Sequence, residues 1–418
     1  MSIKKPIEDV LQISVSLPTQ ILVASDIHLS AQSTAASRNV EVELSKRIAL
    51  LTQASSAVIV FNGDVFELWA GEKPTIYKAL LAHKQLTQSL ENYSNNPKHQ
   101  VIFVVGNHDG RIGWSSDEQE ILRKKFNAKI GFSAEVIIKT PRGERTILFE
   151  HGHMLDPDNA FEDPRDPHDK PFGQYIVQTA LPMVTQTQGN LLEGIEHLSE
   201  PHKFAKFVAS RVLYREIFSR LWWLLIPLAI TLLARVLIGY GLYSSDGYSL
   251  QSIAKIILYT EIAIIINVLA ILLAVYFIMR NLLKRAKTMP GASTGVNHNS
   301  KAREKAKQAT STDEVIGYIT GHTHHDEVTK LENGFYANSG CGTEMVEETK
   351  TRFALPSSYV SINHLSWLEL ELSQDNCTVS LWQSLTDNHK QTSLEKIATK
   401  KSLHDKLLAI KKTIIVGY

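Results

Sequence analysis

The chain has 418 residues, 44% of them hydrophobic, which is enough for one large globular domain or two ordinary ones. Its 44 Lys+Arg against 43 Asp+Glu leave a formal charge of +1, so no global field draws it toward nucleic acid and any basic character is local. The two cysteines, Cys341 and Cys377, have neither metal-type spacing nor the number for a disulfide framework; they fit a reducing compartment and argue against redox chemistry.

The opening MSIKKPIEDVLQISVSL has charge but no continuous apolar stretch leading to a small-residue cleavage site. No secretory signal is expected, and the start of the chain is expected in the cytoplasm. Short apolar runs follow at 20–24, 57–61, 101–105 and 146–149, each closing on a polar cluster, and these predict buried strands with functional loops at their ends. Between the first three lie stretches of helical length, 35–53 and 76–93, giving the alternation of an α/β sheet covered by helices. The strand pattern resumes at 315–320, 335–338, 359–362, 367–372 and 378–382. Residues 1–153 and 313–387 therefore read as two parts of one domain, interrupted by 154–312 and followed by a basic tail at 388–418.

The interruption begins with an acidic, Pro-rich loop, DPDNAFEDPRDPHDKP, which reads as a solvated connector with a substrate-contacting lid as the alternative. Two apolar segments follow, LWWLLIPLAITLLARVLIGY at 221–240 and IILYTEIAIIINVLAILLAVYFIM at 256–279. At about 1.5 Å per residue, roughly 20 helical residues span the hydrocarbon core, so both are predicted to cross a membrane as a hairpin. Two buried helices of a soluble domain are the alternative, but such helices seldom stay apolar on every face for so long. Trp222, Trp223, Tyr240, Tyr243 and Tyr259 suit an interfacial aromatic belt. Lys203, Lys206, Arg211, Arg215 and Arg220 precede the first segment and Arg280, Lys284, Arg285 and Lys287 follow the second, whereas the loop between them carries only Lys255. The positive-inside rule then places both flanks, and the catalytic halves beyond them, in the cytoplasm.

Two charges lie within the segments, Arg235 and Glu261. Each sits about 7–8 Å below the outer end at the helical rise, so they are expected to pair across the hairpin, with snorkelling to the interface as the alternative. The segment MPGASTGVNHNS and then KAREKAK read as a flexible return linker. From Ser393 onward, lysines mixed with Leu, Ile and Val fit an ordinary terminal helix, or else a segment lying on an anionic membrane.

Chemistry concentrates in five clusters: Asp26-Ile27-His28, Gly63-Asp64, Gly106-Asn107-His108-Asp109, His151-Gly152-His153 and Gly321-His322-Thr323-His324. Carboxylate and amide oxygens mixed with imidazole suit a borderline divalent ion such as Mn²⁺, Fe²⁺ or Zn²⁺. On an extended strand end, side chains two apart share a face, so Asp26 with His28, and His322 with His324, are each expected to point together. Glycine within four of the five clusters permits tight turns and close backbone approach.

The succession DxH, GD, GNHD, HGH, GHTH resembles the calcineurin-like metallophosphoesterase superfamily over residues 18–153 and 313–385. The resemblance implies an α/β fold, a sandwich of two mixed sheets flanked by helices, here interrupted by a helical insertion with two transmembrane helices. It makes Asp26, His28 and His324 ligands of one divalent ion and Asn107, His151 and His322 ligands of another, with Asp64 bridging; Mn²⁺ is the first choice. Two ions about 3.5–4 Å apart would lower the pKa of a bridging water, making hydroxide the expected nucleophile. His108 would act as general acid, or as a cation stabilising transition-state charge, with Asp109 holding its ring. His153 and His325 are surplus to the motif and are candidates for contact with substrate or with the ligands.

A narrower resemblance lies in GDVFELWAG, residues 63–71, which is similar to the matching motif of the UDP-diacylglucosamine pyrophosphatases of lipid A synthesis. Those enzymes insert a helical lid between the last two ligand motifs, the interval that holds the hairpin here. The chain departs from their pattern at His108, where arginine is usual, and at His153, where aspartate is usual. The expected function is metal-dependent hydrolysis of a phosphoester or pyrophosphate bond in a membrane-associated, lipid-linked substrate, with the lipid bilayer as partner and no nucleic acid. The alternatives are a membrane-tethered phosphodiesterase or phosphatase of soluble nucleotides, and a scaffold that binds partner proteins; the complete ligand set argues against the scaffold.

Overall fold

Thirteen strands among the described residues join into one hydrogen-bonded sheet. The computed structural model describes residues 7–180, 182, 194–198, 203–217, 225–244, 248–287, 299–352, 357–388, 390–399 and 406–418. The strands are β1 (Glu8–Val15), β2 (Thr19–Ala24), β3 (Ala57–Asn62), β4 (His99–Val104), β5 (Lys129–Thr140), β6 (Gly143–Glu150), β7 (Val315–Thr320), β8 (Glu327–Leu331), β9 (Gly334–Asn338), β10 (Gly342–Thr349), β11 (Ser358–Leu372), β12 (Asn376–Asp387) and β13 (Lys406–Gly417). Their order is β13-β12-β11-β2-β3-β4-β5-β6-β7-β9-β8, with β1 added to β5 and β10 to β11.

The central strands β2, β3 and β4 are parallel, and successive side chains point to opposite faces. Both faces are covered, which is why these strands read as continuous apolar runs rather than alternating ones. On one face Leu22, Ile59, Phe61 and Phe103 pack against Val40, Leu44, Leu86 and Leu122. Those partners lie on α1 (Ala35–Leu51), α3 (Lys84–Ser94) and α4 (Ser116–Phe126), with α2 (Ile76–Ala82) beside them. On the other face Val23, Val60 and Val104 meet Leu368, Leu370, Val379 and Leu381 from β11 and β12. The sheet therefore turns back over its own core, and its two ends approach each other: Lys412 Nζ on β13 donates to the Val328 carbonyl on β8 at 2.5 Å. The result is a mixed α/β fold built on one large sheet.

Three expectations change on the helices and strands. The single helix expected at 76–93 is two, because His83 leaves helical geometry and Glu41 accepts from Gln85 N at 2.7 Å, satisfying a free amide at the start of α3. The two strands expected at 359–362 and 367–372 are one, β11, because its polar middle is paired on both edges and satisfied; Ser366 Oγ, for example, donates to Ser339 O at 2.8 Å. The terminal helix expected after Ser393 is short, α10 (Ser393–Ala398), and the basic segment beyond residue 405 forms β13, antiparallel to β12.

β6 and β7 are parallel neighbours, so they require a crossover, and the inserted segment supplies it. It contains α5 (Phe172–Tyr175), α6 (Phe204–Arg211), α7 (Leu225–Ser244), α8 (Tyr248–Lys287) and α9 (Ser300–Ala309). Among the described side chains of α8, Ala254, Ile257, Glu261, Ile264 and Val268 are the less exposed, a three-and-four spacing that forms one seam, from which Glu261 pairs with Arg235 of α7. Most large side chains elsewhere on the pair, such as Leu233, Val236, Ile266 and Leu269, are exposed. Among the described residues one stretch is long and apolar enough to cross a membrane, Ser252–Ile271, while Ile226–Leu237 is apolar but shorter. Residues 221–224, with Trp222 and Trp223, lie outside the described residues, as do Arg220 and most of the expected return linker, 289–298. The root of the insertion is fastened to the sheet: the Phe207 ring on α6 meets Tyr359 on β11 at 5.3 Å, and Arg211 Nη1 pairs with Glu395 Oε1 of α10 at 2.7 Å, both side chains buried.

Candidate metal centre

All five sequence clusters follow the carboxyl ends of strands: Asp26 and His28 after β2, Asp64 after β3, Asn107 and His108 after β4, His151 after β6, and His322 and His324 after β7. This is the end of a parallel sheet where ligand sites form. The loops after β2 and β3 stay zipped together, with Asp26 N donating to Gly63 O at 3.0 Å and Leu29 N to Val65 O at 2.8 Å.

The backbone at these positions is not extended as expected. Of seven non-glycine residues with positive φ among the described residues, five are Asp26 (53°), His28 (51°), Asp64 (53°), His322 (69°) and His324 (59°). Such conformations cost on the order of 1–3 kcal/mol each and persist where the surroundings over-determine them. The consequence is a different aim for each side chain: His322 and His324 diverge into separate clusters instead of sharing one. Asp26, His28 and His324 gather their ligand atoms within 4.8 Å of one another, and so do Asp64, His151 and His322.

Donor chemistry tests whether these groups suit a cation. His151 Nδ1 donates to the Asn62 carbonyl at 2.9 Å, which leaves Nε2 as the lone-pair nitrogen in the neutral ring. That nitrogen faces Asp64 Oδ2 at 3.1 Å and Asn107 Oδ1 at 3.1 Å, both acceptors. On the other side His324 Nε2 lies 3.2 Å from Asp26 Oδ1 and 3.4 Å from His28 Nε2. Lone pairs converging on two points need a positive charge there, a proton or an ion, and the oxygen and imidazole mixture fits divalent metals. Without an ion, protons fill the role: burial opposes charge on His151, but Asp64 and Asp26 outweigh it and push the ring up to about 10.

Asp26 and Asp64 are locked in place. Ser25 Oγ donates to Asp26 Oδ2, and His322 N donates to the same oxygen at 2.9 Å. Asp64 Oδ1 accepts from His108 N at 2.8 Å, and the chain passes so close that a Cβ on Gly106 would come within 2.2 Å of that oxygen. Asp26, Asp64 and His151 are almost fully buried, while the rings of His28, His108, His322 and His324 are 12–25% exposed and form the open rim.

His108 is held differently from expectation. Its Nδ1 lies 2.7 Å from Glu67 Oε2, and Trp69 stacks on its ring at 4.0 Å. Asp109 instead accepts from the backbone amides of Gly106, at 2.8 Å, and Val65, at 2.9 Å, so it braces the loop and not the ring. Glu67 also reaches His28 Nδ1 at 3.5 Å, joining the expected acid to an expected ligand. Burial resists charge on both members of the pair; the ring nevertheless holds the Glu67 carboxyl well below its usual range, and Glu67 with Asp64 pushes His108 up to about 9. Burial, then the Asp64 carboxylate, lifts Asp109 to about 7.

Glu67 lies within GDVFELWAG, where the sequence assigns it no role; an acid three residues after Asp64, in the loop that follows β3, is the available signal. Asp156 belongs to the loop expected as a solvated connector, or else a lid, and its Oδ2 lies 3.1 Å from His322 Nε2. Of the surplus histidines, His153 is buried against Phe161, 6.4 Å from the His322 ring centroid, and burial with the neighbouring rings holds it below the ordinary imidazole range. His325 lies in a small cavity of about 200 Å³ with Leu198, Lys203 and Met345.

Residues 19–211 match the family model described as calcineurin-like phosphoesterase. No curated protein matches the sequence. Solved structures with a similar course include a single mutant of Vps29 from Entamoeba histolytica, at 10% identity over 96% of this chain and 99% of that one with a TM-score of 0.30. A dimetal phosphatase from Danio rerio gives 11% identity, 87% and 95% coverage and a TM-score of 0.33. The phosphopantetheinyl hydrolase of Mycobacterium tuberculosis gives 10%, 78%, 92% and 0.26.

Proposed function

We propose that this chain, a metallophosphoesterase by its calcineurin-like phosphoesterase domain, hydrolyses a phosphoester or pyrophosphate bond in a lipid-linked substrate presented at a membrane. The observation that carries the reading is the pair of clusters built on Asp26, His28 and His324 and on Asn107, His151 and His322, with Asp64 between them. Two divalent ions bound there, Mn²⁺ first among the candidates, would supply Lewis acidity to phosphoryl oxygens and neutralise developing charge.

The protein's own groups do the rest. The open rim of His28, His108, His322 and His324 admits the phosphoryl group, while the buried carboxylates keep the ligand atoms fixed. His108, carrying a proton on the strength of Glu67, presents its Nε2 edge to the leaving-group oxygen and donates the proton there. Trp69, stacked on the ring, limits its rotation and shields that proton from water.

The membrane half of the proposal rests on α7 and α8. Only 6% of the apolar stretch in Ser252–Ile271 is buried within the chain, which sets it apart from the core helix of a soluble protein. We read the two helices as a two-pass hairpin with the catalytic residues on the cytoplasmic side, since the basic residues flank it there. The GDVFELWAG resemblance favours a nucleoside-diphosphate-linked lipid as substrate.

The deciding experiment incubates the metal-loaded, detergent-solubilised chain with a panel of membrane lipid extracts and soluble nucleotides, and measures released phosphate or nucleoside monophosphate. Turnover of a lipid pyrophosphate or phosphoester supports the reading. Turnover confined to soluble nucleotides replaces the substrate, and no turnover with full metal loading makes the chain a scaffold.

A further inference from the structure

The inserted segment touches the metal-ligand cluster through its first acidic residue. Asp156 Oδ2 lies 3.1 Å from His322 Nε2 and accepts from Asn159 Nδ2 at 2.8 Å, while Asp156 Oδ1 accepts from Asp158 N at 3.2 Å. Asn159 presents its Oδ1 to Asn107 Nδ2 at 3.5 Å. Gly173, in α5, closes the arrangement from behind: its N donates to Asp158 O at 2.8 Å, and a Cβ added there would come within 2.2 Å of Asn159 Oδ1. A chain of contacts therefore runs from α5 through Asn159 and Asp156 to His322 and Asn107, two of the residues that gather around Asp64.

The ring chemistry gives that chain a purpose. Asp156 engages one nitrogen of His322, Nε2, so the tautomer it selects carries its hydrogen there and leaves Nδ1 with the lone pair. A carboxylate on the far nitrogen of a ligand histidine fixes ring orientation and raises the basicity of the other nitrogen. His151, in the same cluster, is fixed in the same way by the Asn62 carbonyl on its Nδ1. Asn159 does the corresponding service for Asn107: by facing its amide nitrogen, it turns Oδ1 toward His151 Nε2, where it sits at 3.1 Å.

We propose that Asp156 and Asn159 are positioning residues for metal binding, and that the site formed by Asn107, His151 and His322 is complete only when the loop opening the insertion is seated on it. The inference rests on the seven-ligand reading above and deepens it. It makes one of the two ions sensitive to the insertion, while the ion at Asp26, His28 and His324 is not. By linkage, occupation of that site also favours the seated loop, so ion binding and loop seating reinforce each other.

The test measures ion affinity, independent of turnover. The detergent-solubilised full chain is loaded with Co²⁺, whose visible spectrum reports ligand geometry, and stripped stepwise with a chelator; His322→Ala identifies which step belongs to which ion. Asp156→Ala should weaken that one ion by about 10- to 100-fold and alter its spectrum, leaving the other within twofold. Asp156→Asn, whose amide oxygen still accepts from Nε2, should recover part of the loss, and Gly173→Ala, which displaces Asn159, should weaken the same ion. Unchanged affinity of both ions in Asp156→Ala, or equal loss of both with an altered far-ultraviolet circular dichroism spectrum, overturns the inference. A wild-type chain that binds fewer than two ions overturns the seven-ligand reading itself.

Discussion

Arg235 reaches across the helical pair to Glu261, Nη1 to Oε2 at 2.8 Å, with Glu261 only 3% exposed and Arg235 51% exposed. Glu261 occupies the centre of the α8 seam, so its carboxylate is turned toward α7 while the guanidinium lies at the edge of the contact. Equal depth, read from the sequence, placed the two within reach; the seam supplies the rotation that depth alone leaves open.

In lipid or detergent, Arg235→Ala and Glu261→Gln should each weaken the hairpin. A double-mutant cycle should return a coupling on the order of 0.5–2 kcal/mol, the scale for polar contacts between membrane helices. The swapped pair Arg235→Glu with Glu261→Arg should recover part of the loss. A cycle with no coupling beyond error would leave the contact without energetic consequence.

Asp64→Ala and His324→Ala should each abolish turnover and lower bound metal, since Asp64 groups with His151 and His322 on one side and with His28 on the other, and His324 closes the Asp26 cluster. Gly106→Ala should do the same without replacing a proposed ligand, because the new Cβ has no room beside Asp64 Oδ1. Elemental analysis after gel filtration decides this, and full metal content in Asp64→Ala would refute the assignment.

His108→Ala should retain both ions yet lose roughly two to four orders of magnitude in rate, the scale of a general acid. Glu67→Ala should reproduce most of that loss, and the double variant should be little worse than either, because residues acting as one unit are not additive. Strictly multiplicative losses would show that Glu67 acts elsewhere, for instance on His28.

Replacing residues 221–279 by a flexible linker should give a protein that leaves the membrane fraction and still binds metal, because every proposed ligand lies outside that stretch. Carbonate washing followed by metal analysis tests both halves. A truncated chain that remains in the pellet would count against the hairpin as anchor.

Deleting residues 406–418 should lower the thermal unfolding midpoint, since β13 covers the edge of β12 and brings buried Val416 into the core. Membrane partitioning should stay as it was. Loss of vesicle binding with an unchanged midpoint would favour a membrane-surface role for the tail.

Legibility followed a physical pattern. The motif-bearing strands were visible because their apolar runs are buried on both faces, as at Val58 to Phe61. β13 was not, because a strand at the end of the sheet has little to bury and its exposed Lys406, Lys411 and Lys412 mask the period. β1 is mostly exposed along its first half and was passed over for the same reason. At the centre, which residues gather was legible from residue type and order, but the aim of their side chains was not, since five left-handed residues contradict the extended backbone assumed for them. Glu67 and Asp156 were missed as partners because a carboxylate in a loop carries no periodic signal; only the folded chain shows which ring it meets.

The crossover between β6 and β7 has a mechanical consequence. Phe149 pairs with Ile319 in the parallel register, so the chain departs from the sheet and rejoins it on neighbouring strands. A protein moored by one terminal helix can swivel about a single covalent link. With the proposed hairpin inserted, the catalytic body would hang from two, with a third contact where Phe207 and Arg211 grip Tyr359 and Glu395. Under the proposed insertion, such a two-point mooring would restrict swivelling of the site above the bilayer, and a substrate lying in the same bilayer would arrive from a narrower range of directions.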